Sequence, residues 1–122
     1  MEENRFSFQT SEGLAIRGDL ALPRQKDEPL VVCLHGFKGF KDWGFWPAVR
    51  ERLAAAGYGA LRFNFSHSGV GADLESFTEV GPFESGTYSR EVEDLQEILA
   101  RVAQGRLPGC EWLDVSRIGL LG

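Results

Sequence analysis

The run Leu30-Val31-Val32-Cys33-Leu34 places five apolar residues in a row and leads at once into His35-Gly36-Phe37-Lys38-Gly39-Phe40-Lys41-Asp42. Few folds accommodate such a run. Alternation with period two marks a strand with one wet face, whereas an unbroken apolar stretch of strand length belongs to a strand covered on both faces. The change at His35, to a loop with two glycines, two lysines and two phenylalanines, puts the C-terminal end of that strand at a special turn. In open α/β sheets that edge is where ligands bind.

The flanking sequence supplies the neighbours that such a strand requires. Arg5 to Thr10 alternates, with Phe6 and Phe8 on one side, and Leu14 to Leu22 alternates again. Ser11-Glu12-Gly13 between them is a turn signal, so the pair predicts an antiparallel hairpin. Pro47 suits the first turn of a helix over Ala48 to Gly57, in which Val49, Leu53 and Ala56 share a face. Ala60 to Phe65 predicts a fourth strand, parallel to the third across that helix. Residues 72–86 carry Asp73, Glu75, Glu79 and Glu84 among Phe77 and Phe83, and read as a flap over a site or as a solvated excursion. Thr87 to Gln104 is the clearest helix, with a stripe of Val92, Leu95, Ile98, Leu99 and Val102. Its acidic residues lie early and Arg101 late, which suits the helix dipole. Ile118 to Leu121 predicts another buried strand. The fold class is α/β: an antiparallel hairpin followed by parallel strands with crossover helices.

Composition closes several routes. A chain of 122 residues is one domain or part of one. The net charge of −5 argues against a nucleic-acid partner, which requires a basic face. No apolar run approaches the roughly 20 residues of a membrane helix, and the N-terminus lacks the apolar core of a signal peptide. Two cysteines, Cys33 and Cys110, make no disulfide framework, which points to a reducing, cytoplasmic setting. No Cys/His cluster has metal spacing. Gly36 and Gly39 stand too close for a phosphate loop, Asp42 follows Lys41, and neither Gly57-Tyr58-Gly59 nor Gly69-Val70-Gly71 has the third glycine of a dinucleotide site. No metal or cofactor is therefore expected. Lys38 and Lys41 then read as solvated loop charges or as a rim that meets an anionic group.

Taken in order, these residues resemble the α/β-hydrolase family. Leu30 to Phe37 is similar to its third strand and oxyanion loop. Arg62-Phe63-Asn64-Phe65-Ser66-His67-Ser68-Gly69 is similar to its fourth strand and following turn, often R-x-D-x-R-G-x-G. Ser89 to Leu95 resembles the helix before the nucleophile strand, and Arg117 to Gly122 the strand that enters the G-x-S-x-G elbow. His35-Gly36-Phe37 with Asp42-Trp43-Gly44 resembles the bacterial esterase-like or dienelactone-hydrolase-like branch.

The resemblance implies a serine hydrolase acting on an ester, thioester or amide through a Ser-His-Asp triad beyond Gly122, with no cofactor. It makes Gly122 the first glycine of the elbow, so residues 1–122 would be a single incomplete domain, the N-terminal portion of the fold, and the chain alone is expected to be inactive. It also implies that the Phe37 backbone N–H serves an oxyanion hole, where losing one donor typically costs about 3–4 kcal/mol, with His35 and Gly36 supporting the loop. On the residues alone, His35-Gly36 reads first as a tight turn after a buried strand, and the resemblance is what favours the oxyanion role. Ser66-His67-Ser68-Gly69-Val70 fails as an elbow, because residue 66 is not glycine and residue 70 is valine. Lys38 and Trp43 are candidate substrate contacts, and Trp43, Phe45 and Trp46 either line an acyl or aromatic pocket or anchor the following helix. The expected partners are a small-molecule acyl substrate and a complementary C-terminal chain or swapped oligomer that covers the Ile118–Leu121 edge, with no nucleic acid and no membrane. The alternative is a non-catalytic hydrolase-like module for assembly or ligand binding.

Overall fold

A computed structural model of the chain describes residues 2–36, 39–69, 71 and 87–122. Strands β1 (Glu2–Gln9) and β2 (Ala15–Leu22) form the predicted hairpin, in register from Glu2 opposite Leu22 to Gln9 opposite Ala15. Gly13 turns it with φ of 78°, a conformation that side chains resist. Then follow β3 (Glu28–Leu34), helix α1 (Trp46–Ala55), β4 (Gly59–Asn64), helix α2 (Tyr88–Ala103), a 3-10 turn (Cys110–Trp112) and β5 (Leu113–Leu121). The sheet order is β1-β2-β4-β3-β5. β1/β2 and β2/β4 are antiparallel, while β3 runs parallel to both β4 and β5. The fold is α/β with a mixed sheet.

Residues that face each other across strands share a face of the sheet, and successive residues alternate. One face is apolar: Ile16, Leu20, Leu30, Val32, Leu61 and Phe63 are buried there against Ile98 and Val102 of α2. Each such side chain contributes about 1.5–3 kcal/mol through burial. The other face is polar at its centre, where Asp19 lies opposite Arg62 and Arg17 opposite Asn64. Cys33 sits on that side too, opposite Arg62. The central strand is β4, buried at every residue, whereas β3 beside it leaves Val31 and Leu34 half-buried, less covered than its unbroken apolar run predicts.

Several expectations shift. α1 starts at Trp46, its one buried residue, while Val49 and Leu53 are only half-buried and Ala56 is exposed. The bulky indole anchors this helix, and the thin aliphatic stripe does not. On α2, Ile98 and Val102 are buried, but Val92 is 54% exposed, because the helix N-terminus runs past the sheet end. β5 begins at Leu113, with an irregular register opposite Glu28–Leu30. As the outermost strand it leaves Leu120 54% and Leu121 39% exposed. Cys110 lies buried in the 3-10 turn. Lys41 is no solvated loop charge: it is fully buried. The flap or excursion read from residues 72–86 lies outside the described residues. Among those described, no helix is long and apolar enough to cross a membrane.

Candidate functional site

The C-terminal ends of β3 and β4 open into a cavity of about 720 Å³. That volume suits a small organic ligand. It is lined by Leu34, His35 and Gly36 at the end of β3, by Trp43, Gly44, Phe45 and Trp46, by Phe65 after β4, by Glu91, Val92 and Leu95 of α2, and by Gly122. Burial, followed by the charge of Asp94, pushes the Glu91 carboxyl up from its usual range.

His35 is buried at the strand end with its ring edge-on to Phe65, centroids 4.9 Å apart. Its Nε2 accepts from the Phe65 amide at 3.2 Å, and its Nδ1 lies 2.9 Å from the Gly36 carbonyl. This pattern assigns a neutral imidazole with the proton on Nδ1. Burial lowers its pKa against the opposing effect of the Gly36 bond. With both nitrogens engaged by backbone, His35 ties the turn after β3 to the end of β4.

Beyond that turn, the Gly39 amide donates to the Gly36 carbonyl at 2.9 Å. A Cβ at Gly39 would lie 3.0 Å from Trp43 Cδ1 and 3.1 Å from the Gly36 oxygen, so the tight approach calls for glycine. Trp43 stacks on Phe40 at 6.2 Å, and Phe45 tilts against Trp46 at 4.8 Å. Trp43 is 56% and Phe45 65% exposed, whereas Trp46 is buried. Trp46 is thus the buried anchor of the helix, and all three rings lie on the cavity lining. Phe37 and Lys38, the oxyanion and substrate-contact candidates, lie outside the described residues.

Ser66, His67 and Asp94 form a buried trio in an order that does not activate the serine. Ser66 Oγ donates to Asp94 Oδ1 at 3.0 Å and lies 2.8 Å from His67 Nδ1. His67 Nε2 faces the Arg90 guanidinium at 3.2 Å, so it acts as the acceptor and Nδ1 carries the proton. In a catalytic triad the imidazole stands between serine and acid and takes the hydroxyl proton. Here the serine stands in the middle and hands its hydrogen bond to the acid. Asp94 Oδ2 also accepts from the Ser66 amide at 2.7 Å, which fixes the turn after β4 onto α2. Burial raises the Asp94 pKa, against the lowering effect of its Ser66 bonds.

The polar face of the sheet carries an ion network. Asp19, itself buried, accepts from Lys41 Nζ and from Arg5 Nε at 3.0 Å, and lies 3.5 Å from Arg62. Arg62 also donates to Asp42 and Glu3, and Lys41 Nζ reaches Asp42 at 2.6 Å. Burial would raise the Asp42 carboxyl, but Lys41 and Arg62 outweigh it and hold the pKa low. Sequence reading missed this cluster. The signal was available: Asp19 and Arg62 have opposite signs and alternate with core residues in two predicted strands, and only their pairing was lacking. Among the described residues, no group of His, Cys, Asp and Glu is placed to hold a metal ion.

No family model matches the sequence, and no curated protein does. Solved structures do. The α/β hydrolase GrgF from a Penicillium species is 21% identical, with a TM-score of 0.71, over 98% of this chain and 37% of its own. Dienelactone hydrolase from Anabaena variabilis is 17% identical, with a TM-score of 0.71, over 98% of this chain and 50% of its own. A cold-adapted esterase from an Arctic intertidal metagenomic library is 19% identical, with a TM-score of 0.70, over 97% of this chain and 48% of its own. The chain thus spans half the length of these proteins or less, and the likeness is one of fold.

Proposed function

We propose, from the premise that this chain has the fold of the N-terminal portion of an α/β hydrolase, that it is part of a serine hydrolase acting on an ester, thioester or amide. The reading assigns the Ser-His-Asp triad to sequence following Gly122. One observation supports it above the rest. Leu121 of β5 lies opposite Cys33 of β3, and Gly122 lines the same cavity as His35 and Gly36. A nucleophile-bearing turn after Gly122 would open beside the turn after His35. The chemistry requires that convergence, because nucleophile and oxyanion donors must meet one carbonyl within about 3 Å.

In this reading the serine attacks the carbonyl carbon while the triad histidine takes its proton. The oxyanion is held by the Phe37 N–H and by the amide of the residue after the nucleophile. The tetrahedral intermediate collapses to an acyl-enzyme as the histidine protonates the leaving group, and water then releases the acid. Trp43 and Phe45 supply apolar surface for the acyl group, and Lys38 is a further candidate contact. No cofactor takes part.

The test compares residues 1–122 with the reading frame continued past Gly122, each treated with a serine-directed fluorophosphonate. The expected result is labelling of the longer protein alone, at a serine two positions after Gly122. Labelling of Ser66 or Ser68, or a longer protein that resists the probe, overturns the reading.

A further inference from the structure

We infer that Lys41 and Asn64 are positioning residues for Gly39–Trp43, which they clamp to the end of β4 next to the residue that His35 holds. The inference rests on the proposed oxyanion role of Phe37 for its purpose, but its geometry stands independently.

Lys41 is held at three points. Its amide donates to Asn64 Oδ1 at 2.7 Å, its carbonyl accepts from Arg62 at 3.3 Å, and its ammonium meets Asp19 and Asp42. Asp42 is bonded in turn to Arg62. A surface loop has no need of so much. A buried lysine loses the solvation of its charge, and a loop amide bonded to a buried side chain loses its alternative partners in water. Among the described residues, Asn64 Nδ2 and Arg62 Nε are buried with no hydrogen-bond partner, while Asn64 Oδ1 and Arg62 Nη1 engage the Lys41 backbone.

The second clamp is His35, whose Nε2 takes the Phe65 amide at 3.2 Å. Asn64 and Phe65 are consecutive. His35 and Lys41 are therefore anchored on adjacent residues of one strand end, and the Gly39 amide donates to the Gly36 carbonyl between them. An oxyanion donor works because it is aimed before charge develops. Anchoring the described residues on either side of Phe37 in the sequence, His35–Gly36 before it and Gly39–Lys41 after it, serves that need better than one anchor does.

The test is native-state amide exchange on the 122-residue chain by NMR, comparing Asn64→Ala, Asn64→Asp and the core variant Ile98→Ala. Asn64→Ala should speed exchange of the Gly39, Lys41 and Trp43 amides about tenfold relative to the β4 amides, the scale set by an unpaired buried donor. Asn64→Asp keeps the accepting oxygen and should return these amides close to their original rates. Ile98→Ala should raise exchange across the sheet without singling out the loop. If Asn64→Ala raises exchange uniformly, as Ile98→Ala does, or leaves the loop amides unchanged, the clamp is refuted. Asn64→Ser gives the same comparison should the alanine variant not fold. A longer protein that resists the fluorophosphonate while the loop amides still respond to Asn64→Ala would remove the hydrolase reading and leave the clamp in place.

Discussion

His35 donates from Nδ1 to the Gly36 carbonyl and accepts at Nε2 from the Phe65 amide, so protonation takes away the second bond. Burial already disfavours the charged ring and lowers its pKa below the ordinary value of 6.5. As pH falls through that value the unfolded chain takes up a proton that the folded chain refuses, so this part of the stability is complete above it and lost below it. Urea midpoints should accordingly fall from about pH 7 to about pH 5, and His35→Gln, which keeps an acceptor but cannot titrate, should flatten the slope. Asp94 works in the opposite sense. Its raised carboxyl contributes stability at low pH that is lost as pH rises, so only the difference between wild type and His35→Gln isolates the imidazole. The position of His35 at a strand end was legible, because apolar run and His-Gly sit side by side in the sequence. Its partner was not, since the Phe65 amide comes near only once β3 and β4 are paired.

α2 shows how far periodicity reaches at the scale of an element. The stripe from Val92 to Val102 identified the helix, and Thr87 caps it by accepting from the Arg90 amide at 3.2 Å. The stripe did not reveal that its members differ in worth. Ile98 is buried between helix and sheet, while Val92 stands at the cavity edge, more than half exposed. Ile98→Ala should therefore destabilise the fold by about 2–5 kcal/mol in urea titration, and Val92→Ala by less than about 0.5 kcal/mol. Comparable loss at both sites would place the helix wrongly. The strands were read correctly in kind and order because their apolar periods are strong. Their ends moved by a few residues where polar side chains such as Glu3 and Asn4 continue a ladder that hydropathy alone does not reveal. The buried Lys41 lay beyond any single-segment pattern: a lysine in a glycine-rich loop looks wet until Asp19, Asp42 and Arg62 are assembled around it.

Across the whole molecule, one side of the sheet is oily beneath α2 and the other is ionic beneath the 39–46 segment, so the two layers respond to different solvents. The outer strand β5 adds a third property, an apolar edge with Leu120 and Leu121 exposed. Unpaired edges of this kind recruit other strands. Light scattering on the 122-residue chain should show association that grows with concentration, and Leu120→Lys should reduce it. A chain that stays monomeric at every concentration would count against an active edge. The two cysteines lend the cavity a practical use. Cys33 and Cys110 are buried, and burial raises the Cys33 thiol to about 11, so both remain shielded from alkylating reagents. A cysteine placed at Gly122 would be the one reactive thiol, at a point that lines the cavity. An environment-sensitive dye attached there would report, by its colour, whatever enters between Trp43 and α2.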